Sequence, residues 1–370
     1  MMARRYDGWF FLAVLALLGF GVVMVYSTSG YYAQIKFGDG LHFLKKQAVF
    51  ALVGILFMSL FMMLDYKLLR RFVYAIFAVS FISILLVWVP GLGKMAGGSQ
   101  RWIDCGLFWM QPSEPAKLAL IIYLAHITVK KKSRMARFSR GFVPPIIVAG
   151  LLIMSVFIQP DFGTAATMCA ITMGMLFVGG ANPLHVISSV VLAAPVMYVG
   201  LMGAQYRRDR ILAFLDPWAQ PLDGGFQIIQ SYLALGNGGI HGVGLGMGQQ
   251  KLFYLPMAHT DFILSVVGEE LGLIGVCALT CVFMVLLIRG LKIALTAADT
   301  FGAHLAAGIT MLISIEVLIN MGVVMGLLPT KGLPLPLISY GGSSIVVTMA
   351  AAGIMLNISA AAEENSQWSC

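Results

Sequence analysis

The segment FYLPMAHTDF at 253–262 sets His259, Thr260 and Asp261 immediately before a long apolar run, where water meets hydrocarbon. A carboxylate in that position is partly solvated yet lies against a low-dielectric medium. Desolvation raises an acid's pKa toward the range suited to a general base. Thr260 or Asp261 can equally serve as the cap of the helix that follows. Arg207, Arg208 and Arg210 begin the same polar stretch, and Lys251 lies near its end. Guanidinium and ammonium groups suit phosphate oxygens, so this is the charge that a diphosphate held at the interface requires; a solvated face or lipid headgroups are the alternative. Glu114 and Lys117, three residues apart in QPSEPAK, share one helical face on which an ion pair forms, and Ser113 is placed to cap that helix. Glu269 and Glu270 fall far enough into the span after Asp261 that each needs a partner or a proton. Asp161 in QPDFGT and the i, i+4 pair Glu316 and Asn320 read as helix-packing residues.

The elements that position these residues are membrane spans. Hydrophobic residues make up 59% of the 370 positions and charged ones only 11%, against about a quarter charged in a soluble domain. Apolar runs long enough to cross ~30 Å of hydrocarbon fall at about 9–27, 47–64, 72–91, 113–129, 142–159, 163–180, 184–203, 262–288, 303–327 and 342–361. The expected fold is therefore all-α and integral to the membrane: ten transmembrane helices in a single polytopic domain over 1–370, with no soluble domain. A large extracytoplasmic loop, about 205–261, joins the seventh and eighth spans. The first run, from Trp9, lacks a small-residue cleavage site and reads as a retained span.

Ten spans put both termini on one side. Arg4 and Arg5, Lys67, Arg70 and Arg71, the cluster Lys130 to Arg140, and Arg289 and Lys292 all fall on alternate loops, which makes those loops and both termini cytoplasmic. This topology accounts for the net charge of +8 without nucleic acid. The five cysteines form no CxxC pair, so neither a disulfide framework nor a zinc site is expected. The outer loops at 97–117, 205–261 and 328–344 are rich in Gly, Pro, Trp and polar residues, and long loops of that composition carry function. Their glycines match neither a Walker loop nor a dinucleotide fingerprint.

The motifs GGSQRW, QPSEPAK, QPDFGT, RILAFLDPW, GGFQIIQSYLALGNGGIHGVGLG, QKLFYLPMAHTDF, GEELGLIG and LLPTKGLPLPLISYGGSS follow one another in this order. By these the chain resembles the SEDS family (shape, elongation, division and sporulation proteins) over nearly its full length. LDPW, QKLFYLP and LLPTKG are more similar to the division type than to the elongation type. The sequence departs from the family pattern at Met257, where an acidic residue often stands, and at Pro334, where division-type members often have Thr.

The resemblance implies a peptidoglycan glycosyltransferase of the bacterial cytoplasmic membrane, at the division site. It would polymerise lipid II with inversion, beside a class B penicillin-binding protein as transpeptidase and other division proteins. It implies that Asp261 is the essential acid, with Glu114 and Lys117 as a supporting pair. Motif residues Arg101, Trp102, Gln111, His259, Thr260, Lys331 and Ser339 then become candidates for binding substrate, with Arg207, Arg208, Arg210 and Lys251. No cofactor is required, although a divalent cation is compatible with the diphosphate. Two other classes fit the same architecture: a lipid II flippase and a non-catalytic scaffold for the penicillin-binding protein. Polar residues crowding the outer face, not the midplane, favour the enzyme.

Overall fold

The computed structural model describes the backbone of residues 6–368 apart from 97–98, 107, 204, 223 and 253–254, and the side chains of those residues apart from 96, 196, 197, 201, 206, 207 and 364–368. Its helices are α1 (Gly8–Phe37), α2 (His42–Met63), α3 (Lys67–Arg71), α4 (Val73–Leu86), α5 (Ser113–Lys130), α6 (Val143–Ile158), α7 (Phe162–Val178), α8 (Pro183–Met202), α9 (Gln205–Leu215), α10 (Phe226–Gly238), α11 (Ile263–Thr296), α12 (Thr300–Val324) and α13 (Gly342–Trp368). A helix occupies each stretch expected to span. Among the described residues seven are long and apolar enough to cross a membrane: α1, α2, α6 with its preceding turn, α8, α11, α12 and α13. Helices α4 and α7 are shorter but apolar, and α5 carries Glu114, Lys117 and Lys130.

The core lies where α5, α12 and α13 meet; Leu120, Leu124, Leu305, Ile309, Met349 and Met355 are fully buried there. Around it, α2 packs along α13 and α1 against α11. The rim is apolar but uncovered: Leu56, Leu192 and Leu295 are 68%, 73% and 87% exposed. A surface of that kind is stable only in lipid.

Two expectations need correction. The outer loop expected at 97–117 is not all loop: β1 (Gly93–Ala96), β2 (Ser99–Asp104) and β3 (Trp109–Met110) form an antiparallel sheet in the order β1-β2-β3, with Gly93 opposite Ile103 and Ile103 opposite Met110. The fold is thus helical with a small sheet at one end. The segment 205–261 is likewise not one open loop, since it contains α9 and α10. One face of α10 is buried through Ile228, Ile229, Ser231 and Ala234, and Ser231 Oγ reaches Ser265 Oγ at 2.8 Å and donates to Val324 O at 2.7 Å. At 13 residues this amphipathic helix is too short to register as a span, although its spacing is helical.

Helix α11 is broken at Gly272, whose φ of 65° and ψ of −165° suit only glycine. The glycine-rich chain after α10 closes the break. Leu273 N donates to Gly239 O and Ile274 N to Ile240 O, while Val243 N and Gly244 N donate to the carbonyls of Glu269 and Glu270. Backbone groups freed within an apolar bundle are satisfied by this inserted chain.

Candidate active site

Asp261 lies in the turn 257–262 that feeds α11. The N-cap of α11 is Phe262, and no side chain caps the helix, so the capping role open to Thr260 or Asp261 is not the one observed. Thr260 Oγ1 instead donates to Met257 O at 3.2 Å. The half-buried Asp261 carboxylate faces Gly332: its Oδ2 lies 3.3 Å from the place a Cβ would take there. Burial raises its pKa to about 7, a rise opposed by Arg210 and Arg101 and assisted by Asp161. The group is therefore poised between acid and base near neutrality.

Gly332 belongs to the wall of an open cleft lined by Arg101, Asp161, Arg210, Thr330 and Lys331 among others. Asp261 stands just behind that wall. Three cations thus surround one opening. Arg101, on β2, donates to the carbonyls of Gln159 and Pro160 and lies 3.8 Å from Asp161. Arg210, on α9, donates to Thr330 O at 3.5 Å. Burial pushes the Lys331 amine below its usual range, which makes its charge costly unless an anion arrives. Asp161, expected only to pack helices, caps α7 through Thr164 and accepts from Gln111 Nε2 at 3.4 Å. Gln111 thereby orients the cleft's acid.

The other expected residues divide. Lys251 is not among the residues lining the cleft: it is 8% exposed and paired with Glu270 at 2.6 Å, with Ser27 Oγ donating to the same carboxylate. Its assignment to a diphosphate is corrected by that pairing, which also supplies the partner that Glu270 needs. Glu269 accepts from Gln249 N and Gln250 N, so both acids hold the inserted chain. Arg208 is exposed on α9, outside the lining, and the Arg207 side chain lies outside the described residues. Trp102 is half-buried on β2, opposite Lys94.

Ser339 is a clasp: its Oγ donates to Thr260 O at 2.5 Å and accepts from Leu335 N at 2.8 Å. His259 lies within ring contact of Tyr32, Phe43 and Tyr340. Burial, with Lys36 nearby, lowers its pKa to about 4, so it is uncharged at neutral pH.

Glu114 and Lys117 pair at 2.9 Å as the spacing predicted, but the lysine is shared with Glu316 of α12, and all three are at least 95% buried. Glu316 is therefore an ion-pair partner and not a packing residue. None of the three lines the cleft. Ser113 caps nothing: the N-cap is Pro112, and Ser113 Oγ is buried without a partner. Asn320, also read as packing, donates to Asp261 O and Leu333 O. Among the described residues, no group of three or more His, Cys, Asp or Glu gathers to hold a metal.

Residues 8–364 match the family model described as "Cell cycle protein", which covers FtsW, RodA and SpoVE. The chain belongs to this family. It is 51% identical to the probable peptidoglycan glycosyltransferase FtsW of Geobacter metallireducens over 356 residues, 96% of this chain and 95% of that one. It is 43% identical to the stage V sporulation protein E of Bacillus subtilis, over 94% of this chain and 95% of that one. Among solved structures, it superposes with a TM-score of 0.80 and 26% identity, over 99% of this chain and 100% of the other, on a chain from work on structural coordination of polymerization and crosslinking by a peptidoglycan synthase complex. Thermus thermophilus rod shape determining protein RodA shares the fold, with a TM-score of 0.69 at 24% identity over 96% of both chains. The SEDS resemblance read from the motifs is thus borne out at the level of family.

Proposed function

We propose that this chain is a peptidoglycan glycosyltransferase that polymerises lipid II at the outer face of the bacterial cytoplasmic membrane during division. The observation that carries the proposal is the cleft: Arg101, Arg210 and Lys331 line it, and the Asp261 carboxylate, with a pKa of about 7, stands directly behind Gly332. The relatives named as FtsW support the activity and the division role. The likeness to a peptidoglycan synthase complex supports a penicillin-binding partner. We further read all ten apolar helices as spans of one domain. The alternating basic loops support a topology with both termini in the cytoplasm and the Asp261 turn outside.

In this reading the ionised Asp261 takes the proton from the acceptor sugar's 4-hydroxyl as that oxygen attacks the anomeric carbon of the donor. The new glycosidic bond forms with inversion, the bond between the anomeric carbon and the diphosphate oxygen breaks, and the polyprenyl diphosphate leaves with the bonding electrons. Arg101, Arg210 and Lys331 offset the negative charge as it grows on the leaving group. Donors fixed in place before reaction are worth more than solvent, because they need no reorganisation.

The experiment is polymerisation of purified lipid II by the protein together with its transpeptidase partner. Asp261→Asn keeps size and hydrogen bonding but lacks a basic oxygen; it is expected to abolish polymer while leaving the elution profile unchanged. Full polymerisation by that variant refutes the assignment. Lipid translocation in liposomes, without polymer from the unaltered protein, establishes a flippase instead.

A further inference from the structure

Asn320 does not line the cleft, yet it joins the two chain segments that meet at Asp261. Its side chain is 2% exposed on α12. Nδ2 donates to Asp261 O at 2.8 Å and to Leu333 O at 2.9 Å, carbonyls that belong to residues 59 and 13 positions away in sequence. A side-chain amide nitrogen has two protons, and both are used. Oδ1 is buried without a partner, so nothing but the two donated bonds orients the group. Rotating the amide would set Oδ1 against two carbonyl oxygens, which fixes the assignment on chemical grounds.

The segments held in this way do not rest at backbone minima. Met257 has φ 56° and Leu337 has φ 65°, and left-handed conformations at such residues are strained and persist only where their surroundings over-determine them. Two clasps do so here. Ser339 joins Thr260 to Leu335, and Asn320 joins Asp261 to Leu333. Gly332, against which the Asp261 carboxylate rests, immediately precedes the clasped Leu333.

We propose that Asn320 is a positioning residue, which holds the main chain of Asp261 against the Lys331–Leu333 segment and so keeps the carboxylate at the cationic cleft. The proposal rests on the reading of Asp261 as the base. The charged groups that set the field at Asp261 are Arg101 of β2, Asp161 at the start of α7 and Arg210 of α9, with Lys331 in the facing segment and uncharged His259 in its own turn. From α12 comes Glu316, one turn below Asn320, already held by Lys117.

Two variants test this in the complex with the transpeptidase partner, on the folded fraction recovered by size exclusion. Asn320→Leu keeps the volume and removes both donors. It is expected to lower kcat for lipid II polymerisation about 10- to 100-fold with KM within about twofold, the signature of a displaced catalytic group. Asn320→Asp can donate one bond as the neutral acid and none as the carboxylate. Its residual activity is therefore expected to pass through a maximum and fall again as pH rises further, where the unaltered protein levels.

A second readout does not depend on turnover: labelling of Asp261 by a hydrophobic carbodiimide, which needs the protonated carboxyl, followed across pH by mass spectrometry of its peptide. The midpoint is expected near pH 7 in the unaltered protein and at lower pH in Asn320→Leu, as the turn loosens into water. An unchanged midpoint, with kcat either intact or falling only with the folded fraction, overturns the positioning role. Polymerisation by Asp261→Asn would overturn the proposed function, and the labelling midpoint would then decide the positioning claim alone.

Discussion

Replacing Lys117 by Met removes the one positive charge between two buried acids. Glu114 and Glu316 both reach the same Nζ, so their carboxylate oxygens lie within roughly 5 Å of each other. At an effective dielectric of about 20, two unit charges at that separation repel by about 3 kcal/mol, and each also loses the partner that justified its burial. Breaking a buried pair by deleting one member costs about 3–5 kcal/mol in general, so the two estimates agree. The assay is thermal unfolding in detergent, read by loss of the monodisperse peak. Lys117→Met is expected to unfold many degrees below the unaltered protein, and adding Glu114→Gln and Glu316→Gln to it is expected to restore most of the loss, because no charge then remains buried. Wild-type stability in the single variant would refute the reasoning, since the triad would then contribute nothing as an ion cluster. Failure of the triple variant to recover would show that shape, not charge, governs the site.

Four further outcomes follow from the burial of Asp261 and from the partners of the two cations Lys251 and Arg210. The rate of glycan synthesis is expected to rise with pH through about 7 and then level, because burial raises the Asp261 pKa to about 7 and only the ionised form is a base; a profile flat from pH 5 to 8 counts against it. The same raised pKa means that ionised Asp261 is disfavoured by folding above pH 4 and most fully above pH 7, so Asp261→Asn is expected to melt higher than the unaltered protein at pH 8 and equally at pH 4. Lys251→Met, which strands Glu270, is expected to lower stability while the KM for lipid II in the surviving folded protein stays unchanged. Arg210→Ala, at the cleft, is expected to raise that KM and leave the melting temperature nearly unaltered. Kinetics on the two variants side by side separate the structural cation from the ligand cation.

The contrast between Lys251 and Arg210 also marks where reading along the chain succeeds and where it stops. Both are cations in the stretch 205–261, expected from sequence to be one outer loop, and sequence treats them alike. Only packing brings Glu270 and Ser27 to Lys251, and Thr330 and the cleft to Arg210. Glu316 tells the same story, since its partner lies 199 positions away. The spacing of Glu114 and Lys117 announced a pair because helical neighbours are separated by a fixed three or four residues; no local rule announces the third member. The short strands around Ser99–Asp104 were invisible for a related reason, being few residues each and stabilised by pairing with one another.

Residue order alone specifies the medium and where the apolar helices lie. It also marked the carboxylate at the end of HTDF, because hydrophobic runs of spanning length and an acid at their boundary are properties of a linear string. Tertiary structure decided which acids are partnered, which cations face a common cleft, and that Gly332 rather than a bulkier residue rests against Asp261. The physical reason is range. Transfer from water to lipid is summed residue by residue along a span. The charge state and reach of a buried group depend instead on whatever the fold sets within a few ångströms of it, however distant along the chain.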